Sequence, residues 1–185
     1  FNLENKEYVI TNPKTPVKWI NYVGTLKFGG IIEHTGGILL CKQDPALNRI
    51  TKYIPQLPSS DFKGSTIYIR IKTPNGYKII SPYYIPVLET FEKYECHIGL
   101  GYSRFITELA NLKIESTVFV PLGEDILLNH IKITNIKDEI QNIDVIPVIE
   151  YSHPHAMKQF NNADWVPQTM QSKLHLLKNE QKVLI

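Results

Sequence analysis

Aromatic rings, imidazoles, amides and an amine crowd together in residues 151–170. Tyr151, His153, His155, Lys158, Gln159, Phe160, Asn161, Asn162, Trp165 and Gln168 all fall there. This mixture suits a sugar, because Trp and Tyr faces stack on pyranose C–H surfaces while amide and imidazole groups bond hydroxyls. The stretch is also long. A connection beyond about 12–15 residues in a compact domain is usually functional or disordered, and its aromatic content argues against disorder. The competing reading is a capping loop in which Trp165 and Phe160 cover the end of the fold.

Other chemistries find less support. A nucleophilic site needs Ser or Cys beside a base and a third, orienting group. No G-x-S-x-G is present, and Cys96 precedes His97 directly, so on a strand the two side chains point to opposite faces. Cys41 and Cys96 are expected to be core or near-core thiols. His153 and His155 could seed a metal site, but two imidazoles are too few and Asp164 is the nearest carboxylate. No metal or other cofactor is therefore expected. Gly36-Gly37 and Gly99-Leu100-Gly101 complete no phosphate-loop motif and are read as turn glycines. Glu92 with Glu95, and Glu124 with Asp125, read as solvated turn charges.

Period-two runs supply the elements that must hold these groups. In Thr66–Lys72, Ile67, Ile69 and Ile71 share one side, and Tyr68, Arg70 and Lys72 the other. This is the alternation of a half-buried antiparallel strand. Thr73-Pro74-Asn75-Gly76 then leads into Tyr77–Ile80, and Asn-Gly between two such runs predicts a hairpin turning on those two residues. Strands are also predicted at Tyr8–Thr11, Gly30–His34, Ile38–Lys42, Ser116–Val120, Leu127–Thr134 and Ile143–Tyr151. The run Ile143–Ile149 is apolar on both faces, as in a sandwich-core strand, but Pro147 implies an edge or bulge. The one helical signal is His155–Phe160. Many short strands with regular turns predict an all-β fold, a two-sheet, mostly antiparallel β-sandwich.

Composition narrows the function classes. The chain has 185 residues, 43% hydrophobic and 21% charged, which is the balance of a globular domain. Lys+Arg 20 against Asp+Glu 18 gives a net charge of +2, too even for a dedicated nucleic-acid binder. No run approaches the ~20 apolar residues of a membrane span, and Phe1–Lys6 lacks the pattern of a signal peptide. The expectation is a soluble, cytoplasmic protein without nucleic-acid or membrane partners. With no initiating Met and an apolar run at Val183–Ile185, the sequence is expected to be an excerpt. Residues 1–185 would be a single amino-terminal sandwich domain, truncated at its C-terminal end.

Motifs in a fixed order then point to a family. They are Glu7-Tyr8-Val9-Ile10-Thr11, Trp19-Ile20-Asn21-Tyr22, Phe28-Gly29-Gly30-Ile31-Ile32, Thr35-Gly36-Gly37 and Asp44-Pro45-Ala46-Leu47-Asn48-Arg49-Ile50-Thr51-Lys52-Tyr53. Ile67-Tyr68-Ile69-Arg70, Tyr94-Glu95-Cys96-His97, Gly99-Leu100-Gly101-Tyr102-Ser103-Arg104, Phe119-Val120-Pro121 and Lys132-Ile133-Thr134-Asn135 complete the set. The chain resembles the amino-terminal β-sandwich of glycoside hydrolase family 94 phosphorylases, a galactose mutarotase-like supersandwich. Within the family, Ala156–Trp165 looks closer to the 1,2-β-oligoglucan phosphorylase and cyclic β-1,2-glucan synthase branch than to cellobiose phosphorylases.

The resemblance implies phosphorolysis with inversion, in which inorganic phosphate is a co-substrate and α-glucose 1-phosphate leaves. It places the catalytic acid and the phosphate site on a downstream (α/α)6 barrel, so no residue here is catalytic and this segment alone would be inactive. It also implies partners: that barrel, a β-glucan oligosaccharide and a second copy in a homodimer. Loop chemistry and the loop's place in the family together nominate His155, Lys158, Gln159, Asn162, Trp165 and Gln168 for substrate contact. Arg49 is expected to be structural, and Trp19 and Tyr22 interface or core aromatics. The alternatives are a non-catalytic carbohydrate-binding or structural sandwich, and the phosphorylase-like part of a glucan synthase.

Overall fold

The computed structural model describes residues 1–52 and 64–161 and, as strand backbone, 175–177 and 182–184. Thirteen strands and one short helix follow in the order β1 (Tyr8–Ile10), β2 (Ile20–Gly24), β3 (Phe28–Glu33), β4 (Ile38–Lys42), β5 (Ser65–Thr73), β6 (Gly76–Ile80), β7 (Lys93–Gly99), β8 (Tyr102–Leu109), β9 (Leu112–Phe119), β10 (Leu128–Asn135), β11 (Ile143–Ile149), α1 (Ala156–Asn161), β12 (His175–Leu177) and β13 (Lys182–Leu184). Every pairing between them is antiparallel. One sheet has the order β1-β7-β8-β9-β10; two three-stranded sheets have the orders β2-β3-β4 and β11-β5-β6; among the described residues β12 pairs with β13.

Burial follows the pleat. Ser103, Phe105, Thr107 and Leu109 of β8 and Leu112, Ile114, Ser116 and Val118 of β9 are buried, while the residues between them are partly exposed. The apolar ones among them, Phe105, Leu109, Leu112, Ile114 and Val118, share one cluster with Val23, Phe28, Ile32, Ile38 and Leu40 from one small sheet and Ile67, Ile69, Ile71 and Ile80 from the other. The five-stranded sheet is thus one layer of a sandwich, and the second layer is divided between two three-stranded sheets. At the centre, Tyr83 packs edge-on against Phe105, with ring centroids 4.9 Å apart. Its hydroxyl lies 2.9 Å from Ser116 Oγ and accepts from Asn129 Nδ2 at 2.6 Å. Burial pushes the phenol's pKa up, against the pull of those two partners. Gly36, at φ 108°, is the turn glycine expected; a Cβ there would sit 2.4 Å from Tyr83 Cβ.

The hairpin forms between β5 and β6, but its register pairs Thr73 with Gly76. Pro74-Asn75 therefore forms the turn, one residue earlier than the Asn-Gly expected. Proline presets the φ of a turn's first central residue, and Gly76 takes the positive φ, 136°. The strands β2, β7, β8 and β12 do not stand among those predicted. β8 turns into β9 through Ala110 and Asn111, both left-handed at φ 52° and 64°. A two-residue hairpin of matching twist demands that conformation, which asparagine tolerates and alanine resists. Replacing Ala110 with glycine is expected to stabilise the domain by about 1 kcal/mol, read as a higher denaturant midpoint at unchanged slope.

β11 departs from the core-strand expectation. It lies at the sheet edge, and Val145, Ile146 and Ile149 are exposed. Pro147 explains this, since a residue without an amide donor is confined to an edge strand. Trp19 and Tyr22 are not core residues either, being 54% and 74% exposed. The other face of β2 is tied down: Asn21 Nδ2 donates to the carbonyls of Gly99 and Tyr102, at 3.1 and 2.7 Å. No described helix is long and apolar enough to cross a membrane.

Candidate functional site

Residues 44–52 hold the entry to the polar loop. Asp44 Oδ1 accepts from Ala46 N at 2.7 Å, and the Asp44 carbonyl accepts from Asn48 N at 2.8 Å, closing a tight turn. Arg49 Nε donates to the Pro45 carbonyl at 2.9 Å, the structural role expected of it. Thr51 is buried; its hydroxyl donates to the Ile38 carbonyl at 2.9 Å and accepts from Leu40 N at 2.8 Å. This turn then grips the chain leaving β11. Lys52 N donates to Glu150 O, Ser152 N to Ile50 O, Arg49 N to Pro154 O and Ala156 N to Ala46 O, all within 2.7–3.0 Å. Lys52 Nζ closes the clasp on Glu150 at 2.5 Å. Thr51→Val should leave a buried amide and a buried carbonyl short of a partner, at a cost of about 2 kcal/mol. Faster hydrogen exchange at Ser152 and Ala156 is the expected readout.

Beyond the clasp, the expected helix forms as α1, Ala156–Asn161. His153 and His155 lie at its start, and His153 Nδ1 accepts from His155 N at 3.1 Å. His155 is half-buried, its Nδ1 shielded from solvent and without a hydrogen-bond partner among the described residues. Lys158 is exposed. Gln159 lies on α1, and its side chain, like Asn162, Trp165 and Gln168 altogether, falls outside the described residues. Of the six nominated residues, the structure describes the side chains of His155, just before α1, and Lys158, on it. Among the described residues, no group of three or more His, Cys, Asp or Glu side chains could hold a metal ion.

A second polar assembly occupies the outer face of the five-stranded sheet. Glu7 precedes β1, and its carboxylate is buried. Tyr102 Oη donates to Glu7 Oε1 at 2.6 Å, Arg104 Nη2 to Oε1 and Oε2 at 2.9 and 3.1 Å, and His97 Nδ1 lies 2.8 Å from Oε2. The other imidazole nitrogen, Nε2, lies 3.1 Å from Glu95 Oε2. Because ionised carboxylates only accept, both bonds are complete when His97 donates from both nitrogens. Gly99 makes room: a Cβ there would lie 2.3 Å from Tyr102 Cζ, so the ring lies across the glycine to reach Glu7.

Burial works to raise the Glu7 pKa. The Tyr102 and His97 bonds, with the Arg104 and His97 charges, outweigh it and hold the carboxyl below its ordinary value. Glu95 is held low in the same way by His97 and Lys93, again against burial. It is a paired strand residue, not the solvated turn charge expected, because its partners stand beside it on β7. Cys96 faces the core behind this assembly. Burial pushes its thiol up to about 12, so no thiolate forms near His97. Cys41 is partly buried with its thiol directed at the Gly29 carbonyl.

The class these elements define is an all-β, antiparallel two-layer sandwich, with polar groups on the outer face of the five-stranded sheet and at one clasped loop. The family model described as "Glycosyl hydrolase 94, supersandwich domain" matches residues 6–182, and the chain belongs to that family. Among curated proteins, it is similar to the N,N'-diacetylchitobiose phosphorylases of Vibrio proteolyticus and Vibrio furnissii, 34% identical to each over 88% of this chain. It is also 27% identical over 82% of its length to the solabiose phosphorylase of Paenibacillus borealis. In each case the chain spans only 20% of the relative's length.

Proposed function

We propose that this chain is the accessory sandwich domain of an inverting β-glycoside phosphorylase. The observation that carries the reading is the family match over 6–182 together with phosphorylases as relatives. In such a reaction, phosphate attacks the anomeric carbon as the glycosidic oxygen takes a proton and leaves with the acceptor sugar. Hydrolysis with inversion needs a base to activate water; phosphate arrives as an anion, so one general acid suffices. That acid and the phosphate site belong to the rest of the protein, a helical barrel on this reading, and the protein pairs with a second copy.

This domain supplies the rim of the acceptor side. The clasp at 44–52 fixes where the loop starts, and His155, Lys158, Gln159, Asn162, Trp165 and Gln168 meet sugar hydroxyls and C–H faces. The relatives' names point to two-unit sugars, which favours a β-linked disaccharide as donor. The segment Ala156–Trp165 supports a second reading, a 1,2-β-oligoglucan donor.

The test is phosphate-dependent release of sugar 1-phosphate by the full-length protein. The panel is N,N'-diacetylchitobiose, solabiose, cellobiose, laminaribiose, sophorose and longer β-1,2-glucans. Release from one disaccharide fixes the reaction and the linkage, whereas release confined to the longer β-1,2-glucans selects the second reading. No release from any, with protein folded, overturns both and leaves a binding-only sandwich.

A further inference from the structure

At one end of the sandwich, three neighbouring turns each present a leucine. Leu26 lies between β2 and β3, Leu100 between β7 and β8, and Leu122 between β9 and β10. They are 93%, 100% and 90% exposed. Leu122 stands between two hollows, one of about 500 Å³ that reaches Leu26 and one of about 530 Å³ that reaches Leu100. The bends are made at Gly24, Gly101 and Gly123, with φ of 84°, 83° and 87°, so the turns do not require the leucines. Turn tips are ordinarily polar, and apolar side chains gathered on an open surface mark a contact with something else.

The charges beside Leu26 and Leu122 balance. Lys27, Glu124 and Asp125 line the first hollow, and Lys42 pairs with Asp125 at 3.0 Å. Such a set offers no basic excess to hold an anionic lipid surface. The course of the polypeptide points to a different occupant. After β11 it runs back along the Asp44–Lys52 turn, from the Lys52–Glu150 link to the Ala46–Ala156 link. Gln43, just before that turn, donates its amide to the Lys27 carbonyl at 3.0 Å. The chain is thereby led toward the end where the leucines stand. It also spans only 20% of the length of each relative, so a body several times its size is tethered to it on the phosphorylase reading.

We infer that Leu26, Leu100 and Leu122 seat this domain on the rest of its own polypeptide. That the partner is a helical barrel rests on the phosphorylase reading; that this end is the seat rests on the leucines and the course of the chain. Branched apolar knobs fit the grooves between side-chain ridges on packed helices. A permanent contact within one protein is also the more apolar kind of interface. Leu122 is the central anchor, because both hollows open on it. Seating this end fixes the clasped segment 150–156, and with it the start of the polar loop, against the barrel.

The experiment is thiol labelling of the full-length protein carrying Leu100→Cys, read at that position by peptide mass. The expected result is labelling far slower than in the urea-unfolded chain. Adding Leu122→Ser should speed it about tenfold, the loss of one buried leucine from the docked state, and Leu26→Ser should act in the same direction. Neither serine disturbs the sandwich itself, where both side chains already stand in solvent. A diazirine-bearing residue in place of Leu122 then identifies the cover. The expected cross-link joins it, within one chain, to a peptide outside residues 1–185. Labelling as fast as in the unfolded chain, labelling indifferent to both serines, or absence of that cross-link overturns the proposal. So does a cross-link that doubles the mass, which assigns this end to a second copy, and protection seen only with anionic vesicles, which assigns it to a membrane. Phosphorolysis together with a freely labelled thiol would keep the proposed function and remove the seat. A slow thiol and the intrachain cross-link without phosphorolysis would do the reverse.

Discussion

Glu7→Ala is expected to destabilise the domain by about 3 kcal/mol. Removing one partner of a buried ion pair costs roughly 3–5 kcal/mol, because the charge left behind is stranded away from water. The low end applies since Arg104, the stranded cation, is 33% exposed and regains some solvation. His97 is better shielded and would lose its Nδ1 acceptor, and Tyr102 would lose the acceptor its hydroxyl reaches across Gly99. Thermal unfolding should begin roughly 10 °C lower, at about 2–4 °C per kcal/mol for a domain of this size. Hydrogen exchange should show β1 detaching first, since beyond its pairing with β7 that short strand is held by Glu7 and by the packing of Ile10 on the core.

The same carboxylate dictates an acid limb. Its pKa in the fold lies below the ordinary 4.5. A carboxyl lowered by folding contributes stability that is complete above its unfolded value and drains away as pH falls through its folded one. The wild type should therefore lose stability below about pH 4.5. Glu7→Gln, unable to titrate there, should lose less over the same interval. Parallel acid limbs for the two proteins would show that Glu7 is not the group responsible.

Tyr83→Ala should cost about 3–5 kcal/mol, the range for emptying a large aromatic from a tight core. Tyr83 is fully buried, so the hole would open between Phe105 and the Gly36 turn, at the junction of both layers. Tyr83→Phe separates the ring from the hydroxyl. It keeps the ring and the edge-on contact but takes a partner from Ser116 Oγ and Asn129 Nδ2, at a cost of about 1–3 kcal/mol. Chemical denaturation of the two variants should give that order. An equal loss in both would assign the effect to the hydroxyl network alone.

The layers were legible in the sequence where one face is buried and the other wet. Ile67, Ile69 and Ile71, and Ile131 and Ile133, alternate with polar residues and pack on the core as written. β8 and β9 also alternate, but their inward rows include Ser103, Thr107 and Ser116, which blur the contrast in polarity. β11 reads as doubly buried because its apolar residues exceed what the sheet covers. Its proline was the more reliable signal. The inert thiol of Cys96 and the structural Arg49 followed from strand parity and local motif.

The Glu7 assembly was not legible, and the reason is distance along the chain. Glu7 meets His97, Tyr102 and Arg104 only through the β1–β7–β8 register, and no local spacing encodes a register between strands some ninety residues apart. All four lie in segments that carry the family resemblance, which marks them without saying that they touch. The loop was read by composition. Its point of attachment to the Asp44–Lys52 turn is a property of the fold alone.

That attachment has a consequence for how such a domain diversifies. Four of its links run from backbone amide to backbone carbonyl, at Lys52–Glu150, Ser152–Ile50, Arg49–Pro154 and Ala156–Ala46. Main-chain links place few demands on the side chains of the segment they secure. The socket can stay constant while the text it displays is rewritten; if the proposed role of the loop holds, sugar preference can change without a change in the scaffold. The clasp behaves as an interchangeable fitting: exchanging residues 157–170 between relatives should transplant selectivity while the sandwich beneath keeps its stability.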